Sequence, residues 1–337
     1  MDLPVPSPLK PMLARAEREV PEGDLLYEPK WDGFRCIVFR DGDELVLQSR
    51  NQRPLTRYFP ELVDPLLEQL PSRCVLDGEL VVVGPNGLDF GLLSGRIQPA
   101  AKQIALLSGT SPASFVAFDL LAVDERDLRD TPLRDRRELL EEQLADARAP
   151  IHLTPVTTDP ETARDWFTRF DGAGFDGVVA KPLDGTYVSD KRVQFKVKHH
   201  RTVECVVGGY QPHKDGGVGS LLLGLHGGSP RTLRWTGLCS AFSAAKRRTM
   251  AAELSTHVVD ESAHPWTDSD RPEDGWVPLD CSLVVEVTCE NADDGVLRHP
   301  ARFVRWRPDR TPESCLLDQL DTGAPAEFTE VFGQSDS

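Results

Sequence analysis

Asp-Gly pairs punctuate this chain at 32–33, 41–42, 77–78 and 176–177, each beside a short run of apolar and β-branched residues. Asp and Gly suit the backbone of tight turns, so such pairs mark the ends of strands. Phe34-Arg35-Cys36-Ile37-Val38-Phe39, the turn Asp41-Gly42-Asp43 and Leu45-Val46-Leu47 predict a hairpin over residues 34–49. Val75 to Val83 predicts a strand broken at Asp77-Gly78, and Phe115 to Val123, Gly177 to Ala180 and Val193 to Val197 predict three more. Helices fill the intervals. Leu62, Val63, Leu66, Leu67 and Leu70 form a helical stripe between Pro60 and Pro71. Thr131-Pro132 and Asp159-Pro160 each place a capping side chain before a proline at the first helical position. Gly172 offers the second of these helices a C-cap.

Past about His200 the pattern changes. Val203 to Gly208, Ser220 to Leu225, Thr232 to Thr236 and Leu283 to Cys289 read as short strands between Gly-rich turns, interrupted by a helical stretch over Ala241 to Thr256. That pattern predicts a small Greek-key barrel of the OB type, with a long loop over residues 262–278. The expected division is an α+β domain over 1–200, a barrel over 201–320 and a loosely held acidic tail over 321–337.

The chain has 337 residues, enough for two ordinary domains. At 39% hydrophobic and 27% charged it has the composition of a globular protein, not of a disordered or fibrous one. No apolar run is long enough to span a bilayer, and Met1 to Val20 carries charges and prolines where a signal peptide needs an apolar core. A cytoplasmic location, with no membrane partner, is the expectation. Cys36, Cys74, Cys205, Cys239, Cys281, Cys289 and Cys315 form no C-x-x-C pair, and their odd number speaks against a zinc ribbon or a disulfide framework. The net charge of -16 speaks against a nucleic-acid partner. Charge is unevenly spread, however. Lys191 to Arg201 and Arg298 to Arg310 are basic, whereas no Lys or Arg follows Arg310, and it is local potential that governs contact with a polyanion.

Lys30, in Glu28-Pro29-Lys30-Trp31-Asp32-Gly33-Phe34-Arg35, precedes a turn and a strand. Alone it reads as a solvated lysine beside a surface turn. As a nucleophile it needs a neutral amine, cations to neutralise a phosphate leaving group, an apolar slot for a base and an acceptor for ribose hydroxyls. Residues for each task follow. Ser49-Arg50-Asn51 ends the first hairpin, and Asp77-Gly78-Glu79 places a carboxylate at a strand entrance. Phe118 is an aromatic on a buried strand, and Asp176 precedes Gly177-Val178-Val179-Ala180-Lys181. Lys196 and Lys198 alternate onto one face of a strand. Singly, each has a bland alternative: Phe118 as core, Glu79 as a turn carboxylate, the two lysines as the wet side of a strand.

The ordered set Lys-x-Asp-Gly-x-Arg, Ser-Arg-Asn, Asp-Gly-Glu, Phe-Asp-x-Leu, Gly-Val-Val-x-Lys and Lys-x-Lys resembles the covalent nucleotidyltransferases, and within them the ATP-dependent DNA ligases, nearest the small two-domain bacterial ligase C type. Arg302-Phe303-Val304-Arg305-Trp306-Arg307-Pro308-Asp309-Arg310 resembles the last motif of that family, so the likeness runs from about Pro11 to Arg310. The resemblance implies an adenylation domain of antiparallel sheets with helices, followed by an OB barrel. It implies that Lys30 forms a lysyl-AMP adduct, that Glu28 meets the adenine edge and that Phe118 stacks on the base. Arg35 and Arg50 would serve the ribose and later the DNA 5′-phosphate. Glu79 would hold a ribose hydroxyl and, with Asp176, a Mg2+ or Mn2+ ion. Lys196 and Lys198, assisted by Arg192, would hold the α-phosphate. Arg305, Arg307 and Asp309 would swing in from the barrel to orient pyrophosphate, about a hinge at His199–Arg201. At 176 most of the family has Glu, one methylene longer than the Asp present here. The implied substrates are ATP and nicked double-stranded DNA, the implied enzyme a monomer working with DNA-repair proteins in repair or replication. RNA ligases, which generally lack the last motif, GTP-dependent capping enzymes and a scaffold that has lost catalysis are the competing readings.

Overall fold

A computed structural model describes residues 1–84, 87–98, 100–170, 174–266, 275–293 and 295–320. It divides into two compact units that part between His199 and His200.

The first unit contains β1 (Leu13–Glu17), β2 (Leu25–Trp31), β3 (Phe34–Asp41), β4 (Glu44–Ser49), α1 (Val63–Gln69), β5 (Arg73–Gly84), β6 (Gly87–Leu88), α2 (Phe90–Gly95), α3 (Ala101–Thr110), β7 (Ala113–Val123), β8 (Arg126–Asp127), α4 (Leu133–Gln143), β9 (Ile151–Leu153), α5 (Pro160–Arg169), β10 (Phe175–Pro182) and β11 (Arg192–Lys198). One sheet has the order β1-β11-β10-β2, and a larger one runs β4-β3-β5-β7-β8, with β6 on β5 and β9 on β7. Pairing is antiparallel except for β1 with β11 and β7 with β9. Period-2 alternation gives each sheet an apolar back. Tyr27, Val178, Ala180 and Val197 pack with Ala163 of α5 behind the smaller sheet. Cys36, Val38, Leu76, Leu80, Ala117 and Leu120 pack with Leu62, Leu66 and Leu140 behind the larger one. The other faces of the two sheets supply the polar residues described below.

Three local expectations change. Strand β5 is not broken at Asp77-Gly78 but runs through it. Gly78 is there for space, since a Cβ at this position would sit 2.4 Å from the Phe115 ring. Opposite it, β7 carries the irregularity: Asp77 pairs Asp119 and Gly78 pairs Ala117, so Phe118 is the extra residue of a β-bulge. At α4, Pro132 rather than Thr131 is the N-cap residue, and no side chain caps the helix. Its first amides are met from outside, Leu133 N donating to Gly185 O at 3.0 Å and Arg134 N to Leu183 O at 2.9 Å. The segment over 60–70 opens as a 3-10 turn before α1. Helix α5 starts as expected, Asp159 accepting from Glu161 N and Thr162 N, whereas Gly172 lies outside the described residues.

The second unit contains β12 (Arg201–Pro212), β13 (Val218–Gly227), β14 (Thr232–Ser240), α6 (Ala244–Leu254), β15 (Val277–Pro278), β16 (Val284–Cys289), β17 (Ala292–Asp293), β18 (Val296–Leu297) and β19 (Ala301–Trp306). The order β13-β14-β19-β16-β12, closed by β12 on β13, makes a five-stranded barrel with α6 inserted between β14 and β16, as in an OB fold. Met250 and Leu254 of α6 join Val203, Leu221, Leu223, Val285 and Val287 in its core. All seven cysteines are free thiols. The 321–337 tail and residues 267–274 of the long loop over 262–278 lie outside the described residues. Among the described residues no helix is long and apolar enough to cross a membrane.

Candidate active site

Strand β2 delivers Glu28 and Lys30 to one face of the smaller sheet, because residues two apart point the same way. In register, Lys30 pairs Gly177 and Glu28 pairs Val179 on β10, while Lys198 and Lys196 of β11 pair those same two residues. Lys30, Glu28, Val179, Lys196 and Lys198 therefore share a face. Lys30 Nζ donates to Asp176 Oδ2 at 2.7 Å, and Lys198 Nζ stands 3.4 Å from the same oxygen. The shorter carboxylate at 176 thus reaches both lysines.

The Asp32-Gly33 pair after Lys30 is not a surface turn. It joins β2 directly to β3, and Gly33 lies against β5, where a Cβ would fall 2.2 Å from Leu80 O and 2.8 Å from Glu79 Cγ. This close approach brings Glu79 into the field of Lys30. On the larger sheet Arg35 pairs Glu79 across β3 and β5. Burial pushes the Glu79 carboxyl up to about 8, a shift that Lys30 and Arg35 only partly offset.

Arg35 is held from behind. Its Nε and Nη2 donate to the two oxygens of Asp77 at 2.5 and 2.6 Å, and Asp77 also accepts from Tyr187 Oη at 2.6 Å. Tyr187 in turn accepts from Met12 N at 3.1 Å. Asp77 is fully buried, so its two partners offset a desolvation cost that an isolated carboxylate would not survive. The bulge at Phe118 turns that ring toward two cations: Arg35 Cζ lies 4.5 Å and Lys181 Nζ 4.4 Å from its centroid. Lys181 also stands 2.5 Å from Glu28 Oε1. Burial raises the Glu28 pKa, Lys181 opposes that rise, and Glu28 Oε2 has no hydrogen-bond partner among the described residues. A buried acceptor beside an aromatic ring is suited to the amino edge of a purine.

Nearby, Asp119 and Arg136 form a bidentate pair at 2.8 and 2.9 Å, both buried, and Arg136 ties Thr131 O and Gly185 O to the same point. This pair fastens α4 to β7 beside Phe118.

Lys30, Glu28, Arg35, Glu79, Phe118, Asp176, Lys196 and Lys198 thus gather in one unit. Arg50 lies just past β4, exposed. Arg192 opens β11, exposed, four residues before Lys196 and roughly 13 Å from it along the strand. Arg305, Arg307 and Asp309 belong to the second unit, in and just after β19. Asp77, Lys181 and Tyr187 were missed as site residues. Lys181 closes the Gly-Val-Val-x-Lys run and was open to notice, but nothing in the sequence ties Tyr187 to Asp77.

Glu79 and Asp176 are the carboxylates available to a divalent cation. Among the described residues no group of three His, Cys, Asp or Glu could hold a metal unaided. A Mg2+ ion typically takes one or two carboxylates together with substrate phosphates and water, so the donor set fits an ion that arrives with a nucleotide.

Comparison with known proteins places this geometry. The family model described as ATP dependent DNA ligase domain matches residues 10–198, and that for the ATP dependent DNA ligase C terminal region matches residues 214–310. The chain is 49% identical to DNA ligase C2 of Mycolicibacterium smegmatis over 96% of its own length and 97% of the relative's. It is 45% identical to DNA ligase C of Mycobacterium tuberculosis, over 98% and 99%. Among solved structures, a mycobacterial DNA ligase D complexed with ATP and MES is 31% identical, covers 91% of this chain and 98% of its own, and has a TM-score of 0.50.

Proposed function

The chain belongs to the ATP-dependent DNA ligases, enzymes that join DNA strands using ATP, and from that premise we propose that Lys30 is its adenylated nucleophile. The observation that carries this reading is the placement of Lys30 Nζ: 2.7 Å from Asp176, on one sheet face with Glu28, Lys196 and Lys198, and across from Glu79.

The reaction has three transfers. The neutral Lys30 amine attacks the α-phosphorus of ATP, forming a P–N bond as the P–O bond to pyrophosphate breaks. The 5′-phosphate at a nick then takes AMP from Lys30. Last, the 3′-hydroxyl attacks that activated phosphate, forming the phosphodiester and releasing AMP. In such transfers the protein contributes chiefly position and charge. Phe118 and Glu28 seat the adenine, the latter through Oε2, which has no hydrogen-bond partner among the described residues. Arg35 meets the ribose and afterwards, with the exposed Arg50, the DNA 5′-phosphate. Lys196 and Lys198 hold the α-phosphate, and Arg305, Arg307 and Asp309 serve the departing pyrophosphate. Lys30 gives up its proton to solvent before attack, and Asp176, in contact with that amine, holds it in line. A divalent ion, Mg2+ or Mn2+, bound by Glu79 and Asp176, would neutralise phosphate charge. Nicked double-stranded DNA is the substrate, and a monomer working with repair proteins in the cytoplasm, in repair or replication, is the accompanying reading.

The test is incubation with labelled ATP or GTP, then with a nicked duplex. Wild-type chain should carry label from ATP alone and seal the nick, and Lys30→Ala should do neither. Sealing by Lys30→Ala, or an adduct formed only with GTP, would refute the proposal.

A further inference from the structure

Glu204 on β12 and Glu286 on β16 are direct partners across an antiparallel pair. Like charges opposite one another destabilise a sheet, so a fold that keeps them needs a cation between. Arg307 is that cation. Its Nη1 contacts Glu204 Oε1 and lies 3.0 Å from Glu286 Oε2, while its Nε and Nη2 donate to Asp309 at 2.9 and 2.8 Å. Two further arginines hang on the same glutamates. Arg305 Nε and Nη2 sit 2.9 and 2.8 Å from Glu286 Oε2, and Arg310 Nε sits 2.6 Å from Glu204 Oε2. Arg307 is 17% exposed, Arg305 63% and Arg310 39%. The central arginine is thus saturated with carboxylate oxygens, and the outer two are each held by one glutamate oxygen while staying more exposed than Arg307.

We infer that Glu204 and Glu286 are positioning residues for the first transfer: the pair fixes Arg307 as a keystone and presets Arg305 and Arg310 to meet the pyrophosphate. Holding rotamer-rich side chains in place beforehand removes an ordering cost from the moment of reaction. The inference rests on the proposed role of Arg305, gives Arg307 the part of holding its neighbours in place rather than meeting pyrophosphate itself, and adds two acidic residues that a cation-seeking motif would not select. A simple charge account has the opposite sign: if the glutamates only damped positive potential, their removal would speed the step.

The experiment measures Lys30 adenylation by ATP and, separately, sealing of a nick supplied with its 5′-AMP already attached, which bypasses the first transfer. Glu204→Ala and Glu286→Ala should each slow adenylation at least tenfold and leave pre-adenylated nick sealing within about twofold. Glu204→Gln and Glu286→Gln, which keep an acceptor oxygen, should recover part of the rate. Arg305→Ala is the control for the underlying role and should slow adenylation as well. If Arg305→Ala is slow but the glutamate variants adenylate at the wild-type rate or faster, the inference fails and the role of the arginines stands. If Arg305→Ala adenylates normally, the role itself fails and takes the inference with it. Equal loss of both activities in the glutamate variants would show a general structural role and overturn the inference.

Discussion

The amine of Lys30 lies 2.7 Å from Oδ2 of Asp176. A carboxylate so close orients the amine, and it does so with a side chain one methylene shorter than the glutamate expected from the family pattern. Asp176→Asn should cut adenylation at least tenfold, because the amide keeps the shape but not the charge that lines up Lys30 and Lys198. Asp176→Glu should keep most of the rate. Label transfer from ATP measures both, and a wild-type rate for the Asn variant would remove Asp176 from the mechanism.

Tyr187→Phe deletes one hydrogen bond to the buried Asp77, which holds Arg35. A bond to a charged acceptor contributes about 1.5–3 kcal/mol. The expected result is a KM for ATP raised several-fold with a smaller change in kcat, since Arg35 is loosened rather than lost. Steady-state adenylation kinetics decide it, and an unchanged KM would show that Arg35 holds its place without Tyr187.

Arg136 and Asp119 are both almost fully buried. Arg136→Met alone strands a buried carboxylate and should cost about 3–5 kcal/mol in denaturant unfolding. The double change Arg136→Met with Asp119→Leu should recover much of that loss, because it removes both charges together. A single variant within about 1 kcal/mol of wild type would contradict the pairing.

The raised Glu79 pKa has a consequence for stability. In the folded chain without nucleotide the carboxyl keeps its proton up to about 8, whereas its ordinary value is 4.5. Between those values the native state binds a proton that the unfolded chain has lost. Stability from this group is therefore fully present below about pH 4.5 and falls as pH rises toward 8, by at most ~1.4 kcal/mol per pH unit. Unfolding measured from pH 5 to 9 should show that decline in the wild type and a flatter profile in Glu79→Gln. Identical profiles would mean that Glu79 ionises normally.

The -16 net charge does not decide the partner, because local potential governs contact with a polyanion. In the barrel, Glu204 and Glu286 pair with Arg305, Arg307 and Arg310 of the basic stretch ending at Arg310. Their cross-strand register unites residues far apart in the chain.

The sequence alone determined the strand-rich α+β character, the barrel after His200 and the order of the chemical groups from Lys30 to Lys198. Those properties are local or periodic: turn pairs end strands, alternation picks a face, and motifs are short. The tertiary structure alone decided that Asp77-Gly78 lies inside a strand, that Phe118 is a bulge residue facing Arg35 and Lys181, and that Tyr187 backs Asp77. Each of these depends on register between distant segments, where a shift of one residue turns a side chain to the other face of the sheet, and no pattern within a single strand records which neighbour it will meet.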